Sequence, residues 1–419
     1  MKHKKIWYLL FFSLGSLSLL TAQKIKIDGE LRTRGELRSG FRKPLADSLD
    51  AAYVNNLRVR LGATYSEKDY KVKITLQDTE TYGSNGINKT GNNLGVYEAW
   101  AEYFFTPEFS GVLGRQILEY DDKRLFSSGN WSNTPNAHDL LKLKYETSKF
   151  KAHVGGGWNN AADVLYESVY DKSYKSLFYT WLYKPIGKFT ASAIWVNEGF
   201  QKGEVPEEVK TSIFRNTVGA NFGLDDRSIP FSFYATGYYQ FGYDRSDSKL
   251  DASLLALKTK YRFSDFISAN VGVDYYSGSK SMLSKSKDHT FNKLYGANHS
   301  FNGSMEYWAT LPKQGLLDLY GGVSVKANSK LSFDGGFHTF STAEKMDNRN
   351  NKGIGSEIDL LADYTVSQTL SLQAGWSTYM KNKGTRILKD QLGVDTKFPQ
   401  WAYIMITFKP VFFSTKAEK

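Results

Sequence analysis

The chain has 419 residues, a formal net charge of +11, 15% aromatic residues, 36 Gly, 9 Pro and no Cys. Without cysteine there is no disulfide and no thiolate metal site, and the glycine and aromatic content favours strands and turns over helices. The basic excess calls for anionic partners, but Lys and Arg are spread over many segments instead of forming one stripe, which argues against nucleic acid.

Residues 1–22 carry Lys2, Lys4 and Lys5, then an apolar run from Ile6 to Leu20, then the small-residue exit Thr21-Ala22. That order predicts a signal peptide cleaved after Ala22 and an exported mature domain at 23–419; it is the strand pattern of that domain, together with the leader, that points to a Gram-negative outer membrane. The run is shorter than the roughly 18–20 residues of a spanning helix. No later segment approaches one.

From Lys24 to Arg38 the residues alternate strictly. Ile25, Ile27, Leu31 and Leu37 fall on one face; Asp28, Glu30, Arg32, Arg34, Glu36 and Arg38 fall on the other. Period two is the signature of a strand with one apolar and one wet face. The same pattern continues along the chain. Arg58 and Arg60 oppose Leu57, Val59 and Leu61. Lys71 and Lys73 oppose Val72 and Ile74, and Glu98 and Glu102 oppose Ala99 and Ala101. Lys142 and Lys144 follow in the next basic strand, and "LLALKTKYRF", "GLLDLYGGVSVK" and "WAYIMITF" repeat the alternation further on.

Short turns are predicted at 66–69, 106–108, 147–149, 184–188, 224–230, 264–266, 327–330 and 367–369. Between them lie longer connections at 39–52, 81–93, 119–137, 159–173, 197–211, 242–249, 278–314, 341–353 and 381–399. Strands of 9–14 residues joined alternately by short and long connections fit a transmembrane β-barrel better than a sandwich of 5–6-residue strands. The expected fold is all-β: one closed antiparallel barrel of 18 strands, with 16 as the alternative count. The stretch 302–311 stays inside a long connection, because counting it as a strand breaks the short/long rhythm.

A barrel of this size leaves an aqueous lumen. Over the first six strands the inward row then includes Arg32, Arg34, Arg38, Arg58, Arg60, Lys71, Lys73, Arg115, Lys142 and Lys144 against Asp28, Glu30, Glu36, Glu98, Glu102 and Glu146, a basic balance that favours anions. No His spacing suits a metal and no Gly-x-Ser-x-Gly elbow is present, so neither catalytic residue nor cofactor is expected. The expected partners are outer-membrane lipid and anionic small solutes, acidic oligosaccharides included. The competing readings are a general anion or phosphate porin and a plugged structural or adhesive barrel.

The segment "GRQILEYDDKRLFSSGNWSNTPNAHDLLKLKYE" (114–146) resembles the alginate-export family of outer-membrane porins, through Gly114, Arg115, Gln116, Asp122, Arg124, Leu125, Trp131 and Asp139. "LYGANHSFNGSMEYW" (294–308) and the ending "FPQWAYIMITFKPVFF" are also similar. The resemblance implies a monomeric 18-stranded barrel with an electropositive constriction that passes polyuronates or related anions. Carried over residue by residue, it implies that Arg115 and Arg124 contribute to the constriction while Asp122 and Asp139 pair to hold a loop inward. Asn136 stands where the family pattern has Arg, which removes one fixed cation.

Overall fold

The structure, a computed structural model, describes residues 23–84, 86, 93–202, 210–280, 287–346 and 350–415. The predicted signal peptide lies outside the described residues. Among the described residues the first six strands are β1 (Lys24–Ser39), β2 (Ala52–Ser66), β3 (Tyr70–Thr81), β4 (Gly95–Phe104), β5 (Phe109–Gln116) and β6 (His138–Glu146). Then come β7 (Lys151–Trp158), β8 (Ser176–Ile186), β9 (Phe189–Lys202), β10 (Lys210–Leu224), β11 (Phe231–Tyr243) and β12 (Lys249–Arg262). The chain continues through β13 (Ile267–Tyr276), β14 (Leu316–Lys326), β15 (Leu331–Ser341), β16 (Gly353–Thr365), β17 (Leu370–Met380), β18 (Gln400–Phe408) and the four-residue β19 (Val411–Ser414).

Each strand pairs antiparallel with its sequence neighbour, and β1 closes the ring. Leu31–Ser39 pair with β18, while Lys26–Asp28 pair with β19. Pro410 has no N–H to offer the ladder, so the last strand breaks there; its carbonyl accepts from the Gly29 N–H at 2.9 Å. β19 is therefore the continuation of β18, and the barrel has 18 staves. Closure leaves no unpaired strand edge, which a membrane would not tolerate.

The alternation acts as expected, with apolar residues outside. Leu31, Leu61, Leu141, Leu255, Val271, Leu319 and Ile404 are exposed on the outer face, whereas Arg58, Glu98, Gln240, Asp318 and Glu357 are buried inside. A water-soluble domain shows the reverse. All eight short turns occur where predicted. Two predicted long connections shrink, because β9–β12 run further than the sequence suggests. The connection at 242–249 becomes 244–248, tied by the Asp244 carboxylate to the Ser246 and Ser248 N–H groups. Residues 302–311 form no strand.

The interior is not an open tube. The connections 117–137 and 277–315 both turn inward, and their aromatic residues join the inward faces of β8, β15, β17 and β18 in one buried cluster. Two further connections, 40–51 and 381–399, meet above the closure seam. Asp47 N–H donates to Asp395 O, Lys397 N–H donates to Leu45 O, and the short helix α1 (Lys383–Leu388) is capped by Asn382.

Candidate functional site

Loop 117–137 is strung across the lumen between opposite walls. Near its start, the Asp121 carboxylate accepts from Trp181 Nε1 at 3.0 Å on β8 and from Ser192 Oγ at 2.6 Å on β9. Burial raises the Asp121 carboxyl's pKa against these two hydrogen bonds. The Arg124 guanidinium then reaches β13. It donates to both Asp274 oxygens at 2.8 Å and to Tyr276 Oη at 2.8 Å, while its Nε holds Asp122 at 2.7 Å.

The other end of the loop is held by β1 and β2 through backbone carbonyls. Arg32 donates to the oxygens of Asn130 (2.6 Å), Trp131 (3.1 Å) and Ser132 (3.1 Å), and to Asn133 Oδ1 (2.8 Å). Arg34 donates to Trp131 O at 2.9 Å and lies 4.2 Å from the centre of its ring. Arg58 donates to Asn130 O (3.0 Å) and Ser132 O (2.8 Å), with its other edge on Glu30. Three guanidiniums thus converge on three consecutive carbonyls.

The second inward loop packs on the first like an added strand. Ser127 N–H donates to Tyr295 O, Tyr295 N–H to Leu125 O, and Ala297 N–H to Lys123 O, at 2.9–3.0 Å. A Cβ at Gly296 would lie 2.1 Å from Arg124 O, so only glycine permits this approach. Asn136, the departure from the family pattern, donates its amide to Ser127 O and Tyr295 O and so binds the two loops together. The turn 302–311 then dips against β15–β17. Met305 N–H donates to Glu357 at 2.7 Å, and Trp308 Nε1 donates to Tyr379 Oη at 3.1 Å. Tyr307 stacks on Tyr379 at 3.9 Å with the rings 1° apart.

Between the loops lies a cavity of about 670 Å³, with Arg42, Trp131, Asn136, His299, Glu306 and Lys389 in its wall. His299 stacks on Trp131 at 3.9 Å and contacts Glu306 at 3.1 Å, and Arg42 closes on Glu306 from the 40–51 connection. Burial alone would raise the Glu306 carboxyl, but His299 and Arg42 hold it at about 2. Burial pushes the Lys389 ammonium down to about 8. Burial and the nearby Arg124 charge push Lys293, in the wall of a neighbouring cavity of about 310 Å³, down to about 7.

The predicted site residues divide into three groups. Arg32, Arg34, Arg58 and Arg60 point inward, but they anchor loop 117–137 and do not line free water; Arg60 binds Gln77 and Asn130 Oδ1. Lys71, Lys73, Lys142, Lys144, Glu98 and Glu102 also face inward. Lys73 pairs with Glu98 and Lys144 with Glu102, Lys71 lies over the Trp100 ring, and Lys142 has no ion pair among the described residues.

The third group requires correction. Arg115 and Asp139 pair with each other at 2.7 Å, in the register that also places Leu113 opposite Leu141 on the outer face. They line no pore and hold no loop. Val112 and Leu113 are both apolar, so β5 gives no clear parity of its own; the buried partners Gln116 and His138 show which face is inner. Asp122 is held by Arg124, not by Asp139, and Arg124 is a buried anchor, not an exposed pore cation.

Sequence reasoning also missed an acidic wall. Asp274, Asp318, Asp334, Glu357 and Asp359 share the inner face of β13–β16, opposite in charge to β1–β6. The alternation that places the arginines inside places these carboxylates there too.

A sequence profile describing alginate export matches residues 23–380. No curated protein sequence matches. Among solved structures, Pseudomonas aeruginosa OccK3 (OpdO) aligns with a TM-score of 0.62 at 12% identity, over 93% of this chain and 96% of its own. Pseudomonas aeruginosa OpdL aligns with a TM-score of 0.63 at 10% identity, over 93% and 99%. The outer membrane protein opdK of the same species gives 0.60 at 10%, over 93% and 99%. At such identities these likenesses speak to the barrel fold alone.

Proposed function

Because the chain belongs to the alginate export family, we propose that it is a passive outer-membrane channel for anionic solutes, acidic oligosaccharides such as polyuronates among them. The observation that carries this reading is a set of inward ammonium groups with no carboxylate partner among the described residues. Lys142 sits at the middle of its strand, and Lys71, Lys258 and Lys260 lie in the short-turn half of the lumen, the end that turns toward the periplasm in such barrels. Low-dielectric walls focus the field of these charges and raise the local concentration of anions. Arginine forks suit carboxylates, but here they are engaged by the loop, so the free lysines carry selection. The apolar outer face meets lipid directly, and we read the chain as a monomer.

A second reading is favoured by the two loops that cross the lumen, namely a barrel held closed at rest. Planar-bilayer recording under a salt gradient separates the two. The open-channel reading expects discrete conductance and a reversal potential of anion sign, lowered by added uronate oligomers. A reversal potential of cation sign refutes anion selection, and absence of conductance favours the closed barrel.

A further inference from the structure

The middle of loop 117–137 is held by a cationic site, yet offers that site only neutral acceptors. Asn136 N–H donates to Ser128 O at 2.6 Å and closes a bight over residues 129–135, with Gly129 in the left-handed region at its neck, φ 59°. The ladder to Tyr295 ends at Ser127, outside that neck. The bight can therefore leave the wall without undoing the packing of one loop on the other.

Six hydrogen bonds from Arg32, Arg34 and Arg58 end on the carbonyls of Asn130, Trp131 and Ser132. With the bight gone, Arg58 would keep Glu30 and Arg34 would keep Glu36. Arg32 would keep nothing. Its four side-chain hydrogen bonds all go to the bight, and its Nε has no partner although the residue is 4% exposed. A buried cation without a countercharge is costly, so Arg32 is the group here that an arriving anion would relieve most.

The three carbonyls stand where a carboxylate would fit. A carboxylate brings a full negative charge and meets a guanidinium fork with two parallel bonds, which a carbonyl oxygen does not. The far side of the bight is open: Asn130, Ser132 and Thr134 are exposed and line the cavity of about 670 Å³ between the loops. Against displacement stands Trp131, whose ring stacks on His299 at 3.9 Å and lies edge-on to Tyr403 at 5.0 Å. One carboxylate fills one fork and leaves the other arginines holding the loop. Release needs a solute that fills at least two.

We propose that the bight 129–135 is a built-in ligand, an autoinhibitory contact that occupies the arginine site and is displaced by a solute carrying two or more carboxylates. This rests on the reading of a barrel held closed at rest, and names what opens it.

The chain has no cysteine, so Thr134→Cys carries a single environment-sensitive dye on the exposed side of the bight. The labelled full barrel, refolded in detergent, is titrated at constant ionic strength with citrate, trigalacturonate, acetate and cellotriose. Citrate and trigalacturonate are expected to shift the dye emission to a plateau, and acetate and cellotriose to leave it unchanged. Whichever acts at lower concentration tells a small polycarboxylate from an oligouronate as the better ligand. Asn133→Asp gives Arg32 a carboxylate on the bight itself and should raise the half-saturating concentration about tenfold, a charged acceptor replacing a neutral one. Arg32→Gln acts in the opposite direction and moves the resting emission toward the plateau. In bilayers the same two solutes should raise the single-channel open probability. No dye shift with either polycarboxylate, an equal shift with acetate, an unchanged midpoint in Asn133→Asp, or a dye shift without a rise in open probability overturns the proposal. Conductance in plain salt refutes the closed barrel alone; the dye and a further rise with polycarboxylate then still decide whether the bight is displaced.

Discussion

Arg32, Arg34 and Arg58 meet the same stretch of loop backbone because a planar guanidinium presents five N–H donors in a fixed fork. A lysine ammonium in their place could hold at most one or two of these carbonyls from its flexible stem. Arg58 is 1% exposed and divides its donors between Glu30 and the loop. Arg58→Ala leaves the Glu30 carboxylate buried beside only Arg60 at 3.8 Å and Lys409 at 3.7 Å. Its expected cost is about 3 kcal/mol, read as an earlier urea midpoint of tryptophan fluorescence, with Arg58→Lys recovering part of it. The two loop lysines make the vestibule sensitive to pH. Lys293, at about 7, and Lys389, at about 8, lose their protons as pH rises from 6 to 9. Positive charge therefore falls with rising pH, and the anion-to-cation permeability ratio should fall with it. Lys293→Gln with Lys389→Gln should flatten that dependence. A ratio that rises with pH would contradict the assignment.

Among the elements, the short turns were written most plainly in the chain. Thr106, Thr147, Ser264, Asn328 and Ser367 each open a turn and accept from the N–H groups two and three residues on. That repeated device needs only local sequence. The turn 302–311 is the opposite case. Its Trp and Tyr sit in an alternating stretch that reads like a strand, and it escapes pairing because Tyr307, Trp308 and Met305 find partners on β16 and β17 instead. Trp308→Ala should cost about 3–5 kcal/mol and unseat this turn. The expected signs are an earlier thermal transition and a larger single-channel conductance. Unchanged conductance beside lost stability would show that the turn braces the wall without narrowing the path.

At the scale of the molecule, charge is unevenly sorted around the ring: cations outnumber carboxylates on the inner face of β1–β6, and carboxylates gather on that of β13–β16. The lumen field therefore runs across the channel as well as along it. Lys71→Glu with Lys142→Glu removes two free cations from the basic side and is expected to move the reversal potential toward cation preference. The shift should shrink as salt rises, since screening length is about 10 Å at 0.1 M and about 3 Å at 1 M. No shift at low salt would place selection elsewhere in the lumen.

By itself the sequence pointed to the closed barrel, to 18 staves ahead of 16, and to the face of most ionic rows, Arg115 and Asp139 excepted. Period two and turn chemistry are properties of neighbouring residues, and a membrane forces the strands they specify to close. Only the tertiary structure decided which ions stay free. Arg32 is bound by carbonyls about a hundred residues away, and Arg124 by an aspartate 150 residues on. Loop docking of that kind leaves no period in the sequence, because it depends on which side chains and carbonyls the closed ring brings within hydrogen-bond reach.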